Sequence, residues 1–486
     1  MMTMKIAFLI PFLLQIVFCG ASENGSYIDQ IEKRVFDQIE RGSVQGVAIA
    51  IIENGKVVLS KGYGFANINQ HLPITENTVF ELASISKTIS AIGVLHLVEL
   101  GKLHLDEAAS VYLKTWSLPP SNFDHKKITI RRLLNHTAGL APVFYRGTIS
   151  PDFSFDLVDS LNGVGSPDEQ LEIAYDPGSY FQYSGAGYTL LQLIIEEVTG
   201  ISFQEYMKTE IFEPLGLTHT TFDLSTLNNK DLAVPYDFFG RAIPHHFYTE
   251  QAAAGLYSTI SDLSKMMLYL TRLYHLQVDS KIGQVISSNS LKSMMEINEN
   301  NYALGFETEM LKKNRLLAFH TGDNFGTRTG MFLLPSQMDG CAVLINSDAG
   351  LELVEEIGNI WLESRTEGES LSFYKEMSEL KKWINVFFCA FAIFLFYLTL
   401  RTTKKLLDSS MATRITIEIS KIAAWVVLIS CWLMVLYTPY SFFPGIVLAT
   451  FLPSNLSNIT ILIMFFGFLN IVGRLIILMN RKIKYS

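Results

Sequence analysis

The chain has 486 residues, with 38 lysines and arginines against 47 aspartates and glutamates, so its formal net charge at pH 7 is −9. An acidic chain with a pI of about 5.6 lacks the basic surface that nucleic-acid binding requires, and we predict no nucleic-acid partner. One of its four cysteines falls in an N-terminal apolar run and two fall in C-terminal apolar runs, which excludes a fold built on disulfides.

The N-terminus has the features of a secretory signal peptide. Its first 20 residues hold one lysine, a long apolar run and a glycine at the end. This pattern predicts a signal peptide over residues 1–21 with cleavage near Ala21, which would place the mature chain outside the cytoplasm. Cys19 leaves a lipoprotein signal as an alternative, although Phe18 stands where that signal has a small residue.

About 340 residues follow before the C-terminal third turns apolar, a length that suits two subdomains better than a single core. The apolar run 45–53 ends in Asn54 and Gly55, a hairpin signal, and extended character resumes at 57–60, so we predict a strand pair. Two short β-rich runs, 331–335 and 341–346, predict further strands at the end of this region.

Residues 88–100 have apolar side chains at helical spacing before Gly101, which predicts a helix whose first turn carries Ser84 and Lys87. Residues three apart on a helix are neighbours, so the Lys87 amine can reach the Ser84 hydroxyl and take its proton. Lys87 can act in this way only if burial lowers its pKa toward neutrality. Since Ser-x-x-Lys also occurs by chance, a capped surface helix is the alternative interpretation.

Two further motifs follow in order. Tyr-Ser-Gly occupies 183–185, and His-Thr-Gly occupies 320–322 with Asp-Asn directly after it. With Ser-x-x-Lys at 84–87, they resemble the three signatures of the serine β-lactamase and penicillin-binding-protein superfamily, including its class C-like members and related serine peptidases. The resemblance extends from about residue 28 to about residue 360. It implies a β-lactamase/transpeptidase-like α+β domain over residues 25–363, with an antiparallel sheet flanked by helices and a helical subdomain.

The resemblance implies chemical roles for the matching side chains. Ser84 would be the nucleophile and Lys87 its base, while Tyr183 would protonate the leaving group and then activate water. His320 replaces the lysine of the usual third signature and would orient Tyr183 or a substrate carboxylate. His136, within a further segment that resembles the family, is predicted to be structural.

The resemblance also implies an oxyanion hole and a substrate contact. The backbone N–H groups of Ser84 and of Asp323, which follows Gly322, would stabilise the oxyanion, and Asn324 would contact a polar substrate side chain. Gly185 stands where the family usually has an asparagine that binds the lysine and the substrate amide carbonyl. That contact therefore does not carry over to this chain.

No residue pattern indicates a metal or a cofactor. His245 and His246 lack metal-ligand spacing, and the chain has no dinucleotide-binding or phosphate-loop motif. We predict neither a metal site nor a cofactor.

The C-terminal third has three apolar runs that predict membrane spans at 383–400, 422–440 and 459–479, after a linker at 364–382. Basic residues cluster after the first run and in the tail, which favours a cytoplasmic position for both. The sequence thus predicts a multi-pass protein of the cell membrane, in contact with the lipid bilayer, with an extracytoplasmic domain and a three-helix transmembrane region. This arrangement resembles that of membrane-bound superfamily members. A buried soluble hairpin is the alternative for any one span.

Two functions remain open at this point. The chain is predicted to be a serine hydrolase that cleaves amide or ester bonds of a small peptide or peptidoglycan-like substrate, as a D-amino-acid-type peptidase or carboxypeptidase. The alternative is a sensor of β-lactams or peptidoglycan, or an envelope protein with little turnover. The rate at which an acyl-enzyme decays separates the two.

Overall fold

A computed structural model describes residues 26–150, 156–227, 231–276, 285–372 and 374–375 of the chain. The predicted signal peptide and the three predicted spans lie outside these residues. Within the described segments, no helix is both long and apolar enough to cross a membrane.

The centre of the fold is a seven-stranded antiparallel sheet with strand order β3-β2-β1-β9-β8-β7-β6. A separate pair, β4 and β5, lies beside the segment that carries Ser84. The strands are β1 Gly46–Glu53, β2 Lys56–Asn67, β3 Leu72–Pro73, β4 Val79–Glu81, β5 Tyr257–Thr259, β6 Glu307–Leu311, β7 Arg315–Asn324, β8 Thr327–Leu334 and β9 Asp339–Ile345.

Helices cover both faces of the sheet and build the helical subdomain. They are α1 Tyr27–Glu40, α2 Ile85–Glu99, α3 Ile130–Leu134, α4 Leu157–Leu161, α5 Gly185–Thr199, α6 Phe203–Met207, α7 Gln251–Ala254, α8 Ile260–His275, α9 Ser288–Met294 and α10 Leu351–Arg365. The predicted α+β fold with helices around an antiparallel sheet is confirmed for this part of the chain.

The alternation of side chains along β1 explains the two layers. Val47, Ile49 and Ile51 lie in one core cluster with α1 and α10, whereas Ala48 and Ala50 lie in the other with α2 and α8. Successive residues of a strand point to opposite faces, and this strand is buried on both.

The predicted early hairpin is confirmed. Strands β1 and β2 pair in antiparallel fashion and meet at Asn54 and Gly55, which have φ angles of 50° and 73°. Two successive positive φ angles define the tight turn that suits the twist of paired strands, and Asn-Gly adopts it readily.

Helix α2 runs through the centre of the molecule. It is buried at every position from Ile85 to Leu95 and again at Leu97. A helix that is apolar on all sides belongs inside a protein. The interpretation of this segment as a capped surface helix is therefore wrong.

The packed part of the chain continues beyond residue 363 into the predicted linker. Helix α10 continues to Arg365, and Leu371 is 6 % exposed against the cluster on the α1 and α10 face. The Leu371 N–H also donates to Asn359 Oδ1 at 3.1 Å. The apolar side chain of Leu371 thus keeps this segment on the domain.

Candidate active site

Ser84 lies in a strained turn just before α2. The preceding residue, Ala83, is fully buried with a φ of 49°, a left-handed conformation that a non-glycine residue adopts only at a cost. Hydrogen bonds hold the turn: the Leu82 N–H donates to Leu256 O at 2.7 Å, and Thr329 Oγ1 donates to Leu82 O at 2.9 Å. The turn therefore presents Ser84, partly exposed, at the surface of a buried segment.

The Ser84 hydroxyl forms a hydrogen bond with Lys87 and does not cap the helix. It makes no capping hydrogen bond to α2, and it accepts one from Lys87 Nζ at 3.1 Å. Lys87 Nζ also donates to Ala253 O of α7 at 2.7 Å. The structure thus brings together the two residues that the Ser-x-x-Lys spacing predicts to meet.

The Lys87 amine is buried without a counter-charge. Its residue is 3 % exposed, and among the described residues no carboxylate forms an ion pair with it. Burial disfavours the ammonium form and lowers the pKa of Lys87 from 10.5 to about 7. A large share of the amine is neutral at physiological pH and can accept the Ser84 proton.

Tyr183 lies next to this pair, just before α5. Its ring centroid is 5.0 Å from Lys87 Nζ. Burial raises the pKa of Tyr183 above its ordinary value of 10, and a hydrogen bond to Ser84 opposes this shift. The phenol therefore stays protonated at neutral pH, which suits it to donate a proton to a leaving group.

His136 holds the Tyr183 segment from both sides. Its carbonyl accepts the Gln182 N–H at 2.8 Å, and its Nδ1 accepts the Ser184 N–H at 3.3 Å. Its ring centroid lies 4.3 Å from that of Tyr183. His136 also has a φ of 58°, so its backbone adopts the left-handed conformation that lets both contacts form. The predicted structural residue is thus a direct neighbour of a predicted catalytic one.

His320 forms a layer behind Tyr183. It is buried, its Nδ1 donates to Thr321 O at 2.7 Å, and its Nε2 accepts from the Tyr302 hydroxyl at 3.0 Å. Burial, together with the nearby Lys87 charge, lowers the pKa of His320 to about 3. A neutral imidazole with both nitrogens engaged offers no charge for a substrate carboxylate. The geometry favours a positioning role, through Tyr302, which no sequence motif identifies.

Strand β7 packs against the turn that precedes Ser84. A Cβ on Gly322 would lie 2.5 Å from Leu82 O and 3.1 Å from the Ala83 Cβ, so only glycine permits this approach. The next residue, Asp323, directs its carboxylate to Arg328 at 2.6 Å. Among the described residues, no carbonyl accepts a backbone hydrogen bond from the Ser84 N–H, which leaves this donor available for an oxyanion.

The side-chain amide of Asn324 donates hydrogen bonds within the protein. It is buried, and its amide donates to the Glu81 carboxyl group and to Ala254 O, the latter at 3.2 Å. Burial raises the pKa of Glu81 to about 8, while the Asn324 bond opposes the shift. These two hydrogen bonds join the end of β7 to β4 and to α7, and the substrate contact expected of Asn324 stays a prediction.

Gly185 is the first residue of α5, and its N–H donates to Val143 O at 2.8 Å. A Cβ at this position would lie 2.9 Å from the Tyr145 ring. The space in which an asparagine side chain would extend is therefore filled by an aromatic residue from another segment. Sequence reasoning identified the missing asparagine but had no signal for Tyr145.

We expect the rate at which Ser84 is acylated to depend on the neutral form of Lys87. With an uncharged fluorophosphonate, the labelling rate measured by intact mass between about pH 5 and pH 9 should fall about tenfold per pH unit below pH 7 and level off above it. Lys87→Arg, which cannot lose its proton, should abolish labelling throughout. A rate that does not change with pH would rule out Lys87 as the base.

The buried amine should also destabilise the fold in a pH-dependent way. Between pH 7 and pH 10.5 the unfolded chain holds a proton on Lys87 that the folded chain has lost, so this group makes stability rise with pH over that window. Lys87→Met should raise the melting temperature most at or below pH 7, with the gain shrinking toward pH 10.5. Lys126→Met, at an exposed lysine, is the control, and an equal gain there would contradict the assignment.

His136 is expected to act on turnover through Tyr183. His136→Asn keeps an acceptor for the Ser184 N–H and tolerates a positive φ, whereas His136→Phe keeps a ring but loses the acceptor. With a chromogenic ester, His136→Phe should lower kcat by roughly 10- to 100-fold, with a smaller change in KM and partial recovery in His136→Asn. Equal kcat values for the two variants at matched melting temperatures would contradict this role.

The chain is similar to a known protein family and to individual bacterial proteins. Residues 31–362 match the family model described as Beta-lactamase. Protein Flp of Staphylococcus aureus is 29 % identical over 336 residues, which span 68 % of this chain and 65 % of Flp. Penicillin-binding protein 4* of Bacillus subtilis is 33 % identical over 186 residues, 37 % of this chain and 38 % of that protein.

Two solved structures share the fold. The octameric penicillin-binding protein homologue from Pyrococcus abyssi has a TM-score of 0.60 and 26 % identity, covering 73 % of this chain and 81 % of that one. The β-lactamase/D-alanine carboxypeptidase from Pseudomonas syringae has a TM-score of 0.56 and 19 % identity, covering 68 % and 98 %, and is similar in fold alone. With its family match over residues 31–362, this chain belongs to the β-lactamase family.

Proposed function

We propose that the protein is a D-amino-acid-type peptidase that forms an acyl-enzyme on Ser84 and cleaves an amide or ester bond of a small peptide or peptidoglycan-like substrate. The observation that carries the proposal is the hydrogen bond of 3.1 Å between Ser84 and a buried Lys87 amine whose pKa is about 7. A serine with such a base can attack a carbonyl without a metal or a cofactor.

The side chains suggest a division of labour in the reaction. The Lys87 amine takes the Ser84 proton as Oγ attacks the substrate carbonyl, and the N–H groups of Ser84 and Asp323 stabilise the oxyanion. The protonated Tyr183 gives its proton to the departing amine or alcohol, and Lys87 returns a proton to Tyr183. A water molecule then attacks the acyl carbonyl and gives a proton to the neutral Lys87 amine, and the bond from the acyl carbon to Ser84 Oγ breaks as Oγ takes that proton.

A peptidase acting within or at the N-terminal side of its substrate fits better than a carboxypeptidase. A carboxypeptidase needs a cation for the terminal carboxylate of its substrate. His320 occupies the position of the family's lysine, but it is neutral, buried and hydrogen-bonded at both nitrogens. Arg328, which lies nearby, is already paired with Asp323 and Asp348.

We also propose that the domain is anchored in the cell membrane by the apolar segments 383–400, 422–440 and 459–479 and lies outside the cytoplasm. The support is their length and lack of charge, the signal-like N-terminus and the basic residues between the segments. The full chain should remain in membranes after alkaline extraction, whereas a chain ending at residue 375 should be released. Release of the full chain would overturn the anchor.

A sensor with little turnover is the second candidate. It is favoured by Gly185, because the asparagine that contacts the substrate amide in related enzymes is absent and Tyr145 fills its space. In that case the acyl-enzyme would form and then persist, since the step that fails is attack by water.

The two candidates are separated by following the acyl-enzyme over time. Intact-mass labelling with a fluorescent penicillin and with N-acyl-D-amino-acid esters should give an adduct that decays, and Ser84→Ala should form none. Ser225→Ala, at an exposed serine, is the matched control and should label normally. A stable adduct with every substrate would support the sensor, and an adduct retained in Ser84→Ala would overturn Ser84 as the nucleophile.

A further inference from the structure

The start of α5 is shaped by an aromatic residue rather than by its own side chain. A Cβ on Gly185 would meet two Tyr145 ring carbons at 2.9 and 3.0 Å and Val143 O at 3.0 Å. Gly185 does not have a positive φ, so its backbone would accept other residues. The Tyr145 ring is what excludes a side chain at position 185.

Tyr145 is held firmly in this place. The bond of 2.8 Å from the Gly185 N–H to Val143 O fixes the segment 143–145 against the helix. The ring packs against the main core cluster, and the hydroxyl lies buried in the interior, near Glu250. The ring therefore lies between the core cluster and position 185.

The neighbouring residue, Phe144, lies on the solvent side. Its side chain is 43 % exposed, and its ring stacks on Tyr183 with centroids 6.1 Å apart and planes 17° from parallel. A phenylalanine that remains exposed next to the residue that transfers the proton offers apolar surface to a ligand in the cleft.

We propose that Phe144 and Tyr145 form an apolar acyl-binding subsite, so that the preferred acyl donor carries an aromatic or aliphatic group where relatives bind an amide carbonyl. This inference rests on the proposed hydrolase function. An apolar group gains by covering the exposed Phe144 ring. An amide carbonyl at the same place would lose its hydrogen bonds to water and find no asparagine in return.

The first test compares p-nitrophenyl esters with acetyl, octanoyl and phenylacetyl groups. The wild type should favour the two larger groups over acetyl in kcat/KM, and Phe144→Ala should reduce that preference about tenfold. Phe36→Ala is the matched control, because Phe36 is also exposed, at 47 %, and packs on a tyrosine, Tyr63 of β2, away from the cleft. It should leave the preference unchanged.

The second test restores the missing side chain. Gly185→Asn alone should collide with Tyr145 and lower both the melting temperature and activity, whereas Gly185→Asn combined with Tyr145→Ala should have room for the amide. The double variant should gain on N-acetyl-D-alanyl thioesters relative to phenylacetyl esters, compared with Tyr145→Ala alone. A Gly185→Asn variant as stable and active as the wild type would overturn the subsite.

The outcomes distinguish the subsite from the function on which it rests. Ser84-dependent labelling together with an unchanged acyl preference in Phe144→Ala would overturn the subsite alone. Loss of all Ser84-dependent labelling and ester turnover in the wild type would overturn the proposed function and the subsite with it.

Discussion

The hydrogen bond between Lys87 and Ser84 is the interaction on which the rest of the site depends. Its character is set by the burial of the Lys87 amine away from water. Helix α2 is buried on all sides between the sheet and the helical subdomain, so the amine loses its hydration, and no carboxylate in the described part of the chain pairs with it. Its partners are a hydroxyl and the Ala253 carbonyl, which accept from either protonation state. The surrounding fold thereby favours the neutral amine of a residue that is a cation in water.

The titratable groups around Ser84 and Lys87 are also held in their uncharged forms by burial. The nearby histidines are neutral, since burial and the Lys87 charge lower the pKa of both His136 and His320, and the Glu81 carboxyl is held protonated near neutral pH. Tyr183 keeps its proton for the same reason. These histidine, carboxyl and phenol groups therefore rest in their uncharged forms near neutral pH, and the positive φ angles of Ala83 and His136 orient Ser84 and Tyr183.

Sequence patterns predicted the structure well where the interacting residues are close together in the chain. The spacing of Ser84 and Lys87 predicts their contact because a helix brings residues three apart together, and Asn54-Gly55 predicts the hairpin because both residues accept a positive φ. The order of the three motifs predicted the fold class and predicted that Ser84, Tyr183 and His320 lie close together. Sequence patterns had no signal for the hydrogen bonds of the Asn324 amide to Glu81 and Ala254, or for the burial of Leu371 beyond residue 363.

By itself, the sequence determined the family to which the chain belongs, and it predicted the side chains of the candidate site and the strands and helix that hold them. The tertiary structure alone decided how those side chains are tuned, because pKa values and the shape of the cleft depend on burial and on contacts between residues far apart in the chain. His136 packs on Tyr183 across 47 positions, and Tyr145 fills the space beside Gly185 across 40, contacts that no local period encodes. The same packing places the Tyr145 ring where an asparagine side chain at position 185 would extend.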